Sequence, residues 1–213
     1  MRRVLTSKWT KPAIFLLCLA PVGRLIWLAF HAGLTANPIE FITHQTGDWI
    51  LIFLVLTLSI TPARQILKQP DLIRFRRMLG LFAFFYASLH FSIWIGIDKF
   101  FDWREMLTDV GKRRFITVGF TGFVLLIPLA ITSTKGWIRR LGGKRWQKLH
   151  RLVYVTAVAG VVHYYWLVKS DVTKPVRYGV IVLLLLGYRA VMARRRKESR
   201  SAATAPSLVS SLS

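Results

Sequence analysis

Residues 78–97 read MLGLFAFFYASLHFSIWIGI, a stretch of twenty residues with no Asp, Glu, Lys or Arg and a single histidine, His90. An α-helix needs about 20 apolar residues to cross the hydrocarbon core of a bilayer. This stretch therefore predicts a membrane-spanning helix. A histidine is costly in that setting, so its presence indicates a ligand site or a charge pathway.

The sequence contains five further apolar stretches, two before this one and three after it. Together they predict an all-α integral membrane bundle of six transmembrane helices. The six predicted spans are Pro12–His31, Asp48–Ala63, Met78–Ile97, Phe115–Ser133, Leu149–Val168 and Val176–Met192. The first follows a basic segment, as a signal peptide would, but the lack of a small-residue cleavage site close behind it favours a retained helix.

The composition excludes several classes of protein. The chain is 54% hydrophobic with a formal net charge of +22, and its basic residues lie between the apolar stretches. That distribution favours the membrane surface as the partner and argues against nucleic acid. The one cysteine, Cys18, excludes an intramolecular disulfide, covalent c-type haem attachment and a four-cysteine iron–sulfur site.

The basic residues also predict the orientation. Of 31 Lys and Arg residues, 22 fall in four segments on one side of the six predicted spans, residues 2–11, 64–77, 135–151 and 189–200. The positive-inside rule then places both termini in the cytoplasm. We expect one membrane domain over residues 1–193 and a basic, disordered cytoplasmic tail over 194–213 that lies against anionic lipid.

Two histidines fall at matching depths on parallel spans. His90 lies 12 residues after Met78 and His163 lies 14 residues after Leu149. At 1.5 Å per residue, each is about 18–21 Å from the cytoplasmic start of its helix. Two such imidazoles can bind one haem from opposite faces, because histidine is a common ligand of haem iron. The alternative is two unrelated histidines that hydrogen-bond across the bundle.

The third intramembrane histidine, His150, allows several interpretations. It lies 13 residues before His163, about 20 Å nearer the cytoplasm, and the third span has no histidine at that depth. His150 could ligate a second haem, or it could contact a lipid headgroup, a flavin or a haem propionate. His31 and His44 flank the first outer loop and are interpreted as surface residues.

Several short motifs resemble one known family. They are RRMLGL at 76–81 with SLH at 88–90, GKRWQKLHRLVY at 143–154, HYYW at 163–166, ITP at 60–62, KQP at 68–70 and TST at 132–134. In these motifs the chain resembles the MsrQ family, the haem-binding membrane subunits of bacterial methionine sulfoxide reductase systems. That family belongs to the ferric-reductase-like transmembrane group. The resemblance extends over about residues 10–193.

The resemblance implies a cytochrome of the bacterial inner membrane that carries haem b and, in addition, FMN. Such a protein passes electrons from the quinone pool to a periplasmic, MsrP-like molybdopterin enzyme that reduces methionine sulfoxide in oxidised proteins. The matching histidines are His90, His150 and His163. Arg77 and Arg145 are candidate contacts for a flavin phosphate at the basic inner face. One departure from the wider oxidase pattern is the missing second histidine on the third helix.

Two other function classes stay open at this point. A stand-alone transmembrane ferric, metal or oxygen reductase would use the same haem path, and a non-redox transporter or structural membrane protein would need no haem. The sequence contains no nucleotide-binding motif and no candidate residues for sulfoxide chemistry. We therefore expect an electron-transfer subunit whose reaction specificity resides in its partner.

Overall fold

The computed structural model describes residues 5–31 and 33–204, and this part of the chain is helical with no β-strand. The elements are α1 (Thr10–Phe30), α2 (Pro38–Ile66), a 3-10 turn (Pro70–Leu72), α3 (Ile73–Ile93), a π-helical segment (Trp94–Asp98), α4 (Trp103–Lys112), α5 (Arg114–Ile131), α6 (Lys135–Leu149), α7 (Leu152–Leu167) and α8 (Thr173–Thr204).

Each of the six predicted spans coincides with a helix. Five helical segments within the described residues are long and apolar enough to cross a membrane, and they contain α1, α2, α3, α5 and α8. The remaining helix, α7, is apolar but has 16 residues. The all-helical membrane class is thus confirmed, whereas six crossings and the position of the termini stay predictions.

Three features differ from the sequence expectation. Two helices, α4 and α6, lie between the predicted spans, and α6 is broken at Gly142, where φ is 72°. Helix α8 also continues through the basic residues to Thr204, so that part of the expected disordered tail is helical. The Arg, Lys, Glu and Ala residues of this segment favour helix. The preceding turns of α8 have already nucleated the helix, so the segment only extends it. The tail residues 205–213 lie outside the described residues.

The bundle is built on two long helix pairs. Helix α3 packs along α2, and α7 packs along α5. Aromatic rings fill the first of these interfaces, where the Phe53 ring stacks at 5.5 Å from Phe82 and at 5.3 Å from Tyr86. Cys18 of α1 and Met78 of α3 are buried in the same core.

Tyr86 also joins α1 to this core. Helix α1 contains Pro21, which has no N–H to donate within the helix. The Tyr86 hydroxyl accepts from the Val22 amide at 3.2 Å and donates to the Cys18 carbonyl at 2.9 Å. These two groups are four residues apart in α1, so the Tyr86 hydroxyl ties α3 to one turn of α1 beside Pro21.

Replacing Tyr86 by Phe should therefore destabilise the bundle without removing apolar volume. The change removes the two hydrogen bonds between Tyr86 and α1, and we expect a loss of about 1–2 kcal/mol. Thermal unfolding of detergent-purified protein measures it. Tyr165→Phe is the control, because Tyr165 is half-exposed. Equal unfolding temperatures for the two variants would contradict the bridging role.

Candidate functional site

His90 of α3 is held by the first turns of α2. Its Nδ1 lies 3.1 Å from the Thr43 carbonyl oxygen and 3.2 Å from the Thr46 hydroxyl oxygen. The Thr46 hydroxyl donates to backbone carbonyls of its own helix. Because a carbonyl only accepts, the hydrogen bond to Thr43 requires the proton on Nδ1. The Nε2 atom of His90 then carries a free lone pair.

His163 of α7 has the same arrangement with a different partner. Its Nδ1 lies 2.7 Å from the carbonyl oxygen of Phe115, in the first turn of α5. Here too the hydrogen bond places the proton on Nδ1 and leaves Nε2 as the acceptor. Histidines that bind metals commonly donate their other ring N–H to a backbone carbonyl, which fixes the tautomer and the ring orientation.

The two imidazoles line one cavity. Their ring centroids are 6.2 Å apart and their planes are nearly perpendicular, at 89°. The cavity has a volume of about 520 Å³, within the range of small-molecule and cofactor sites. Its walls are mostly apolar and come from α2, α3, α5 and α7. Its polar lining residues include Asn37, Glu40, His44, Asp48, Asp109 and Arg113.

Two glycines allow this cavity to form. A Cβ atom added to Gly119 of α5 would lie 2.5 Å from Nδ1 of His163, and one added to Gly47 of α2 would lie 3.4 Å from Cε1 of His90. The first contact is too short for a Cβ atom, so the His163 ring can keep its position only with glycine at position 119. Neither glycine was identified from the sequence, although glycine within an apolar helix often marks a close approach.

The residues fit a bis-imidazole haem. A bond of about 2 Å between metal and nitrogen on each side leaves two imidazole ring centres about 6 Å apart. The separation in this structure is 6.2 Å. Both rings also have a free Nε2 and a fixed tautomer, which are the conditions for axial ligation.

His150 lies apart from this cavity, between α6 and α7. Its Nε2 is 3.0 Å from the Thr132 hydroxyl oxygen, and its ring stacks on Trp146 with centroids 3.9 Å apart. The Thr132 hydroxyl donates to the Pro128 carbonyl, so it accepts from the Nε2–H of His150. His150 therefore does not line the cavity of His90 and His163, and its Nε2 is already hydrogen-bonded to Thr132.

The two arginines expected from the sequence as flavin contacts lie at the surface. Arg77 and Arg145 are exposed. Arg189 of α8 instead reaches into the bundle, where it donates to the Tyr154 hydroxyl at 3.1 Å and to the Leu58 carbonyl at 2.7 Å. Its Nε is buried without a hydrogen-bond partner among the described residues. A charge within an apolar stretch was the sequence signal for Arg189.

The family is shown by similarity to known proteins. A profile of the ferric reductase like transmembrane component family matches residues 46–161. This match runs from within α2 into α7 and includes His90, whereas His163 lies two residues beyond its end. By this match the chain belongs to the ferric-reductase-like transmembrane proteins.

Full-length relatives define the family more narrowly. The chain is 56% identical to the protein-methionine-sulfoxide reductase heme-binding subunit MsrQ of Herminiimonas arsenicoxydans, over 90% of this chain and 89% of the relative. It is 51% identical to MsrQ of Rhodospirillum rubrum, over 88% and 90%, and 49% identical to MsrQ of Caulobacter vibrioides, over 88% and 89%. The chain is a member of the MsrQ family.

Proposed function

We propose that this chain is a membrane b-type cytochrome that passes electrons from the quinone pool across the bacterial inner membrane. The recipient is a periplasmic molybdopterin methionine sulfoxide reductase that repairs oxidised proteins. The relatives are named as haem-binding subunits of a protein-methionine-sulfoxide reductase. The observation that carries the proposal is the pair His90 and His163, with free Nε2 atoms and ring centroids 6.2 Å apart in one cavity.

In this proposal His90 and His163 are the axial ligands of one haem b. The haem supplies one-electron chemistry, and the chain supplies its position and surroundings. The carbonyls of Thr43 and Phe115 hold the two rings in the tautomer that ligation needs. Two imidazole ligands leave no open coordination position, which suits electron transfer better than binding of a substrate.

The inner end of the bundle is the proposed entry point for electrons. It includes His150, the partly buried Arg189 and the exposed Arg77 and Arg145, which all fall in segments that the basic residues predict to be cytoplasmic. Basic side chains attract an anionic donor and can bind the phosphate of FMN. His150 keeps a second role as a candidate ligand of a second haem. Its hydrogen bond to Thr132 favours the role of a flavin or propionate contact.

Reconstitution tests the whole proposal. Purified chain in vesicles, supplied with a quinol donor and the periplasmic reductase, should support reduction of methionine sulfoxide. The reaction should need both proteins, because this chain lacks candidate residues for sulfoxide chemistry. Activity of this chain alone on methionine sulfoxide would contradict the proposal. An absorption spectrum without haem bands would point to a transporter or a structural protein.

Topology is tested separately. Six crossings with both termini in the cytoplasm predict that an alkaline phosphatase fused after Ser213 is inactive, whereas a fusion within the 33–37 loop is active. The 22 basic residues on the inner side give the physical reason. The reverse pattern, or an active fusion at both sites, would change the number or direction of the crossings.

A further inference from the structure

Helix α4 (Trp103–Lys112) has an apolar face wider than its contact with the bundle. At 100° per residue, its apolar side chains fall within an arc of about 100°. They are Trp103, Met106, Leu107 and Val110. Met106 is buried against the protein, but Trp103 and Leu107 are 62% and 74% exposed. Half of the apolar arc therefore faces away from the bundle.

The turn before α4 extends this exposed apolar surface. Phe100 and Phe101 are 78% and 61% exposed. Both have left-handed backbone angles, with φ of 46° and 62°, which are unusual for bulky side chains. Together with Trp103 and Leu107 they form one surface, which we call the aromatic edge.

The opposite side of α4 is tethered by ion pairs. Asp109 is buried and lies 2.8 Å from the Nζ of Lys99 and 2.9 Å from the Nε of Arg113. Lys99 also pairs with Glu105. The hydrogen bonds that Lys99 donates to Asp109 and then to Glu105 raise the pKa of Lys99, so this lysine stays charged. The cluster fixes which side of α4 faces the protein, and Asp109 and Arg113 also line the cavity.

We propose that the aromatic edge inserts into the lipid interface of the membrane and that α4 lies flat along it. The π-helical segment ends at Asp98 and α5 begins at Arg114, so α4 joins the ends of two membrane helices. Aromatic rings concentrate at that depth in membrane proteins. Interfacial helices typically have one apolar face and one charged face.

The charges of α4 fit the same orientation. Arg104 and Thr108 lie about 100° and 140° around the helix from Trp103, and both are exposed. With the aromatic edge in lipid, they point towards the headgroups and water. A protein partner would explain the exposed rings as well, but not their continuity with the ends of two spans. The inference does not depend on which residues bind haem.

Spin labelling tests the position of α4. The only cysteine is the buried Cys18, so a Cys18→Ala background allows single labels at Leu107→Cys and, as the matched control on the next residue, Thr108→Cys. The full chain is placed in phosphatidylethanolamine–phosphatidylglycerol vesicles without any partner. For each label, we compare its collision rate with oxygen, which enters lipid, and its collision rate with a water-soluble nickel chelate. Both rates are measured from the relaxation of the nitroxide.

We expect the ratio of oxygen accessibility to nickel accessibility to be several-fold higher for the Leu107 label than for the Thr108 label. This ratio should place the Leu107 label about 5–10 Å deep in the membrane interface. Equal nickel access at both positions would overturn the proposal. Protection of Leu107 only after addition of the periplasmic reductase would also overturn it and make the aromatic edge a protein-docking surface. If a cysteine variant misfolds, quenching of Trp103 by brominated lipid, taken as wild type minus Trp103→Phe, gives the same answer.

Discussion

Replacing His90 or His163 by Ala should each abolish haem binding and electron transfer. Each change removes one of the two imidazoles that line the same cavity. Loss of an outer-shell partner of a metal ligand already costs about 10–100-fold in affinity or activity, so loss of the ligand should cost more. We expect haem per purified chain to fall more than about tenfold, as measured by pyridine haemochrome analysis.

His31→Ala is the matched control for these variants. His31 is exposed, and its ring contacts the carbonyl and the ring of Trp27 in α1. Its variant should keep the spectrum and the activity of the parent chain. His150→Ala should keep the haem held by His90 and His163, since His150 lies outside their cavity. Normal haem content in both the His90 and His163 variants would overturn the ligand assignment.

The second large effect is expected from a single added methyl group. In Gly119→Ala, the new Cβ would lie 2.5 Å from Nδ1 of His163 and 2.8 Å from Cε1. The ring must move, which breaks its 2.7 Å hydrogen bond to Phe115 or separates α5 from α7. Because Nε2 moves with the ring, we expect haem content or the low-spin spectrum to be lost, approaching the effect of His163→Ala.

Gly122→Ala is a close control on the same helix. A Cβ there would meet the Cβ of Ala159 at 3.6 Å, an ordinary van der Waals distance. Alanine also favours helix over glycine by about 1 kcal/mol in soluble proteins. The Gly122 variant should therefore bind haem normally. If the two alanine variants behave alike, the close approach at Gly119 does not position His163.

The sequence predicted the spans and the meeting of His90 with His163 because both depend on regular geometry. Hydrophobic length sets where a helix crosses, and the rise per residue sets the depth of each histidine. The partners of the rings could not be predicted in this way. The Thr43 and Phe115 carbonyls belong to other helices, and backbone acceptors have no sequence signature.

Other features depended on rotation and packing that periodicity does not determine. Arg189 was assigned to the basic end of the last span, whereas its side chain reaches Leu58 and Tyr154. Arg77 and Arg145 are exposed and stay candidate cofactor contacts, since a run of basic residues does not show which side chain turns inward. The aromatic edge was not predicted, because α4 has only 10 residues and its sequence reads as a loop of mixed charge.

The burial of three sulfur-containing side chains in this bundle matters for a member of a methionine sulfoxide reductase family. Cys18, Met78 and Met106 are each less than a tenth exposed. Thiol and thioether oxidation follows access to the oxidant, and a sulfoxide in a packed core is disruptive. Hypochlorite or peroxide at doses that modify exposed methionines of other envelope proteins should leave these three side chains unmodified. In the proposed function, this subunit would stay active during exposure to the oxidants that damage its partner's substrates.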